Sequence, residues 1–262
     1  MPKNDIEIIY QDCDLLVINK PAAVSVTADR SGEPDLLPML NKQLRTGNLR
    51  LIHRLDKFTS GVMLLAKNRE TQSRFCSLFE KQLIKKTYLA LVTGPVHDKA
   101  GTIDTPLSHS RKTPQLMRID RKRGKPAVTH WQLLADFSLV ALLVVKPITG
   151  RTHQIRVHLK SIDLPLAIDP LYGPTRPIML SDFKADFRLK KGKTEIPLID
   201  RLTLHAYQIE IPPDLDKLTT FIARLDKKFA ATIKALTKHN PKGPDAFLNP
   251  DHPPAILNAQ PL

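Results

Sequence analysis

The chain has 262 residues, enough for one large domain or two halves that each bury a core. Lys and Arg total 40 against 26 acids, a net charge of +14, which attracts polyanions, and nucleic acid is the usual one. Two cysteines, Cys13 and Cys76, argue against a disulfide framework or a zinc site. No apolar run approaches membrane-spanning length, and Met1 to Asp5 carries no signal-peptide hydrophobic region, so a cytoplasmic protein is expected.

Ile6 to Tyr10 and Leu15 to Asn19 flank Gln11-Asp12-Cys13-Asp14 and read as a hairpin. Leu36, Leu37, Leu40 and Leu44 have helical spacing, and Gly47 marks the end. Leu49 to Leu55 reads as a strand or strand end, and Gly61 to Ala66 as a buried strand. Asn68 caps a predicted helix with Phe75, Leu78, Phe79 and Leu83 on its apolar face. Thr87 to Thr93 is a strand stopped by Gly94-Pro95. Residues 96–125 read as a basic loop. Ala127 to Ala135 and Leu139 to Lys146 form an antiparallel pair about Asp136-Phe137-Ser138. Thr152 to Ser161 reads as a helix, and Leu202 to Ile211 as a strand. From Asp214 a long apolar stripe, Leu215, Leu218, Phe221, Ile222, Leu225, Phe229, Ile233 and Leu236, predicts one helix over 214–238. Residues 241–262 are Pro-rich and aperiodic, with little regular structure expected.

Helices and strands are interspersed, and several strands pair through short turns, which predicts an α+β fold with a mixed, largely antiparallel sheet. No Gly-rich nucleotide-binding sequence is present.

One carboxylate stands out. Asp56 lies in a short polar turn between two apolar runs, where a charged group is costly unless paired or functional. An Asp in such a turn is more often bonded to its own backbone. The surrounding residues carry further weight. His53-Arg54-Leu55-Asp56-Lys57-Phe58-Thr59-Ser60-Gly61 has the form HRLD-x-x-TSG and resembles the signature of the RluA-type pseudouridine synthases. Asn19-Lys20-Pro21, Lys85 to Ala90, and Gly150 to Leu159 (GRTHQIRVHL) resemble further elements of that family in the same order. The resemblance covers roughly residues 5–211, most of the chain on a domain scale.

It implies the family's α+β catalytic domain, with a central cleft and flanking helices. It also implies isomerisation of uridine to pseudouridine in structured RNA, tRNA or ribosomal RNA. The glycosidic C–N bond breaks, the uracil turns, and ring carbon 5 rejoins the ribose after the base has left its stack. No redox change occurs and no group is lost, so neither cofactor nor metal is required. By the same resemblance Asp56 is the catalytic carboxylate, Tyr88 is expected to stack on the uracil or to take a ribose proton, and Arg156 is the cation that keeps Asp56 ionised. Arg54, Arg151, His153 and Gln154 are expected at the RNA. His53 is expected to be structural.

Arg111, Lys112, Arg118, Arg121, Lys122, Arg123 and Lys125 form one basic run, with Asp120 as the nearby acid. Lys184, Arg188, Lys190, Lys191 and Lys193 form another. A charge run is usually a solvated surface, but two of them flanking matched segments favour phosphate contact. Two departures from the family stand out. The match begins near residue 5, so the small N-terminal RNA-binding domain of many relatives is not expected here. Ile168 stands where relatives often have Gly, a change expected to bear on a turn near the site.

The expected organisation is a catalytic domain over 1–213, a packed amphipathic helix over 214–240 and a tail over 241–262. The rival readings are a non-catalytic RNA-binding protein on the same scaffold and a glycoside hydrolase. The first leaves Asp56, Tyr88 and Arg156 without a purpose, and the second normally needs two marked carboxylates.

Overall fold

The first pair of strands forms where two short apolar runs flank a tight Asp turn. In the computed structural model, which describes residues 5–27, 35–189, 192–213 and 220–247, β1 (Glu7–Gln11) and β2 (Leu15–Lys20) pair antiparallel. Asp12 closes the turn by accepting the backbone N–H of Asp14 and Leu15. The short α1 (Leu36–Leu44) follows, with Leu36 and Leu40 buried. Of the stretch expected as a strand from Leu49, only β3 (Arg50–Leu51) pairs. The chain then turns through Asp56 into β4 (Ser60–Ala66), buried along its whole length. α2 (Arg69–Glu80) begins where the Asn68 side chain accepts the Thr71 N–H at 2.8 Å, satisfying an otherwise orphan donor.

The chain divides into two compact units. One comprises Met1–Tyr88 and His205–Arg224, the other Leu89–Leu204 and Leu225–Leu262. The expected catalytic segment 1–213 is thus shared between them. β5 (Lys85–Val92) carries the chain from the first to the second.

In the first unit β2 runs antiparallel to β4, and β11 (Leu204–Glu210) runs parallel to it, so the sheet is mixed. Gly61 explains that closeness. Its φ is +118°, and a Cβ there would fall 2.0 Å from the Ala206 carbonyl oxygen, so only glycine lets the two strands meet. β12 (Thr220–Ile222) pairs with β11. The core combines Leu16, Ile18, Val62, Leu64, Phe75, Ile209 and Phe221, with Tyr88 packed at its margin. Full burial of such side chains contributes roughly 1.5–3 kcal/mol each.

In the second unit β6 (Ala100–Asp104), β9 (Val128–Asp136) and β10 (Ala141–Pro147) form an antiparallel meander. β7 (Leu107–His109) and β8 (Met117–Ile119) make a separate hairpin. The basic stretch 96–125 is therefore not simply a loop: three short strands lie in it. α3 (Gln154–Lys160) carries most of the GRTHQIRVHL run.

The long helix expected over 214–238 is corrected. Residues 214–219 lie outside the described ones. Phe221 and Ile222 belong to β12, and α4 spans Lys227–His239. The helix starts at 227 because the Asp226 side chain caps it, accepting the Phe229 N–H at 3.1 Å. The tail is also corrected for 241–247. Gly243–Ala246 makes one 3-10 turn, and Phe247 is buried with its ring edge-on to Phe137, centroids 5.7 Å apart. Residues 248–262 lie outside the described ones.

Candidate active site

The Asp56 turn is built by its neighbours in the first unit. Ile52 and Leu55 are buried in the core and anchor it from below. The Thr59 N–H closes the turn onto the Asp56 carbonyl at 3.1 Å. His53 fixes the entry: its Nε2 accepts the Leu64 N–H at 3.0 Å, and its ring stacks on Phe79 with centroids 4.4 Å apart. Burial, with a smaller contribution from the charge on Lys86, pushes the His53 pKa down to about 3. The ring is neutral at physiological pH, as an acceptor nitrogen requires, and the expected structural role holds.

Lys20 is fully buried, an unusual place for an ammonium. Its Nζ donates to the carbonyls of Pro21 and Val24 at 2.9 Å and of Lys57 at 3.1 Å. A residue that reads as part of a common turn dipeptide is thus a brace under the Asp56 turn. Arg54 and Phe58 on the same turn face solvent. An exposed aromatic two residues from Asp56 carries no sequence signal, because Phe reads as core.

Tyr88 lies half-buried at the end of the first unit. Burial raises its phenol pKa well above the ordinary value, and the nearby Asp56 carboxylate raises it further. The hydroxyl therefore keeps its proton near neutral pH. Burial alone pulls Lys86, two residues earlier, down to about 8.

In the second unit Arg156 is buried and bidentate on Asp169: Nε to Oδ2 at 2.9 Å and Nη2 to Oδ1 at 2.7 Å. This fork-on-carboxylate geometry orients the guanidinium. Asp169 Oδ1 also accepts the backbone N–H of Leu171 and Tyr172. Nothing in the local spacing pointed to Asp169, which stands on a loop beyond α3. Ile168, the departure noted in the sequence, is buried, and its N–H donates to the Thr203 hydroxyl. Asp169 keeps its partners beside it.

The remaining residues of the motif divide. Arg151 Nε donates to the Pro126 carbonyl. His153 stands before α3 with a left-handed φ of 52°, its Nδ1 2.8 Å from the Tyr172 hydroxyl. Gln154, expected at the RNA, is corrected. It is buried, its Nε2 donates to Val128 O and Thr129 Oγ1, and its Oε1 accepts from Thr149 Oγ1 and Arg151 N. Every polar position of the amide is spent on joining α3 to β9. His158 is likewise internal, bridging the Thr129 hydroxyl and the Thr105 carbonyl, each at 2.9 Å.

Arg111, Lys112, Arg121, Lys122, Arg123 and Lys125 all face solvent on or beside the β7–β8 hairpin. Asp120 shapes this run rather than neutralising it. It accepts the N–H of Lys122 and Arg123 and the Ser108 hydroxyl, and pairs with Arg118 at 2.7 Å. In the second run Arg188 and Lys193 face solvent and Lys184 is half-buried, while Lys190 and Lys191 lie outside the described residues. Among the described residues no group of three or more His, Cys, Asp or Glu could hold a metal ion, and no helix is long and apolar enough to cross a membrane.

These features define a class: an α+β protein with a braced carboxylate on one turn, a protonated phenol near it, an oriented buried guanidinium and a cationic hairpin. The profile described as RNA pseudouridylate synthase matches residues 14–161. An uncharacterised RNA pseudouridine synthase of Haemophilus influenzae is 35% identical over 84% of this chain and 86% of its own. Ribosomal large subunit pseudouridine synthase C of Buchnera aphidicola is 36% identical over 87% of this chain and 70% of its own. The solved human protein titled RNA Pseudouridylate Synthase Domain Containing 4 is 30% identical with a TM-score of 0.66, covering 88% of this chain and 92% of that one. The chain belongs to the RNA pseudouridylate synthase family. It is an isomerase that acts on RNA, converting uridine to pseudouridine.

Proposed function

We propose that this enzyme modifies uridines of large-subunit ribosomal RNA in the cytoplasm, with Asp56 as the catalytic carboxylate. The observation that carries the substrate is the likeness to two proteins named for that RNA. They are the Buchnera aphidicola synthase C, 36% identical, and the Borreliella burgdorferi synthase D, 31% identical over 89% of this chain.

Asp56 acts at the ribose, by attack or by proton removal, while the N-glycosidic bond of the flipped uridine breaks. Uracil turns and bonds through carbon 5. The proton lost from carbon 5 is matched by one gained at the freed ring nitrogen, so nothing else is consumed. Tyr88 offers the uracil a flat face and a hydroxyl that stays protonated. Arg156 supplies the cation of the reaction. Phosphate contact falls to Arg111, Lys112, Arg121, Lys122, Arg123 and Lys125 on the hairpin, with Arg54 on the catalytic turn and Arg151 and His153 at the start of α3. The chemistry needs no cofactor.

The test is to incubate the purified protein with unmodified transcripts of large-subunit ribosomal RNA and of tRNAs, then map pseudouridine by carbodiimide adducts and primer extension. Modification at one or a few ribosomal positions is expected. Sites in tRNA alone would overturn the substrate, and none in either RNA would overturn the reading.

A further inference from the structure

Tyr172 is buried beside Leu107, Met117, Ala127 and Val157, in a small apolar cluster under the basic hairpin. Its hydroxyl accepts the backbone N–H of Met117, on β8, at 2.7 Å. The same oxygen lies 2.8 Å from Nδ1 of His153, the residue that opens α3. The hydroxyl can accept from Met117 and still share a hydrogen bond with that ring nitrogen, because a phenol oxygen both donates and accepts. The Tyr172 ring carries the Arg156 guanidinium 5.1 Å above its centroid, and its backbone N–H is held by Asp169, the partner of Arg156. One side chain therefore touches the hairpin backbone, the start of the motif helix and the buried arginine.

We propose that Tyr172 is a positioning residue that ties the cationic hairpin to Arg156, so that RNA held on the hairpin is registered against the guanidinium. The proposal rests on the reading of the hairpin as the RNA contact and of Arg156 as the cation of the reaction. The β7–β8 base is already joined to the neighbouring chain by mutual bonds between Leu107 and Lys125. The tie from β8 toward α3 runs through Tyr172. Loss of the hydroxyl would remove the acceptor used by Met117 and the hydrogen-bond partner of His153, yet leave the ring under Arg156.

The experiment is a double-mutant cycle on the full chain, using an unmodified large-subunit ribosomal RNA transcript. Tyr172→Phe is compared with the triple variant Arg121→Ala, Lys122→Ala, Arg123→Ala, and with both combined. RNA affinity is measured by filter binding across a salt series, with KM and kcat measured beside it. Tyr172→Phe should weaken RNA binding and raise KM by about tenfold, the size expected for groups left unpaired, with a smaller fall in kcat. In the triple variant the same substitution should change affinity by less than about twofold, because the cations it positions are gone. Equal factors in both backgrounds, or a loss confined to kcat, would overturn the proposal. The binding arm stands even if no turnover is seen, so failure of the catalytic reading is distinguishable. Should Tyr172→Phe not fold, hydrogen exchange on the unaltered protein decides: RNA should protect residues 107–119 and 153–156 together. Protection of the hairpin alone would contradict the tie.

Discussion

The buried ammonium of Lys20 donates to the carbonyl of Lys57 at 3.1 Å, one residue past Asp56. It also donates to the carbonyls of Pro21 and Val24, each at 2.9 Å. A charge this deep is held by its hydrogen bonds, and what it holds in return is the backbone of the Asp56 turn. Lys20→Met should therefore destabilise the first unit by roughly 2–5 kcal/mol, since three part-buried carbonyls lose their shared donor. Urea melts give the stability. Turnover by the folded fraction should fall as well, because the turn loses its brace; unchanged stability and rate would show that the carbonyls are satisfied without it.

His53 makes stability depend on acid. Its folded pKa of about 3 lies below the ordinary 6.5. Between those values the unfolded chain binds a proton that the folded ring refuses, so stability is lost as pH falls from 6.5 toward 3. The slope from this one group is at most about 1.4 kcal/mol per pH unit. His53→Gln should flatten the wild-type dependence between pH 6.5 and 4.5, measured by denaturant midpoints at each pH. Parallel curves for the two proteins would mean that His53 ionises freely in the fold.

Tyr88→Phe and Tyr88→Ala separate a face from a hydroxyl. Phe keeps the stacking surface, and Ala removes both. If the phenol handles a proton, Phe should cripple turnover while RNA binding stays close to wild type. The raised phenol pKa adds that no activity change from Tyr88 ionisation should appear between pH 7 and 9. Wild-type rates for both variants would remove Tyr88 from the reaction.

Sequence made the local features legible and left the long-range ones hidden. The Asn68 cap, the Asp12 turn and the His53 to Gly61 run are short patterns whose physics lies within a few residues. β6, β7 and β8 are short and polar, and they become strands only through distant partners such as Thr102 opposite His130 and Ser108 opposite Arg118. The stripe from Leu215 to Leu236 keeps helical spacing across a break, because Phe221 and Ile222 fall in phase with α4 by coincidence. Thr220-Phe221-Ile222 is rich in strand formers, and Asp226 before an apolar run is a helix start; together they mark the break. The Arg156–Asp169 pair and the burial of Gln154 depend on how loops from elsewhere return to α3, which no spacing encodes.

The segment after α4 is structural as far as Phe247. Ending the chain at Asn240 removes Phe247 from its contact with Phe137 and deletes Lys242, which pairs with Asp136. A loss of roughly 2–4 kcal/mol is expected relative to a chain ending at Phe247, mostly from the vacated aromatic site. Thermal melts of the two chains decide it. Equal melting temperatures would show that Phe247 contributes nothing.

The catalytic role of Asp56 is tested most directly by Asp56→Asn, with tritium release from ring-labelled uridine in ribosomal RNA measured beside filter-binding affinity. The substitution keeps the turn's size and removes the charge. Turnover should fall to background, while RNA affinity stays within about threefold, because the proposed phosphate contacts are cationic side chains that the substitution leaves in place. Substantial tritium release by Asp56→Asn would contradict the account at its centre.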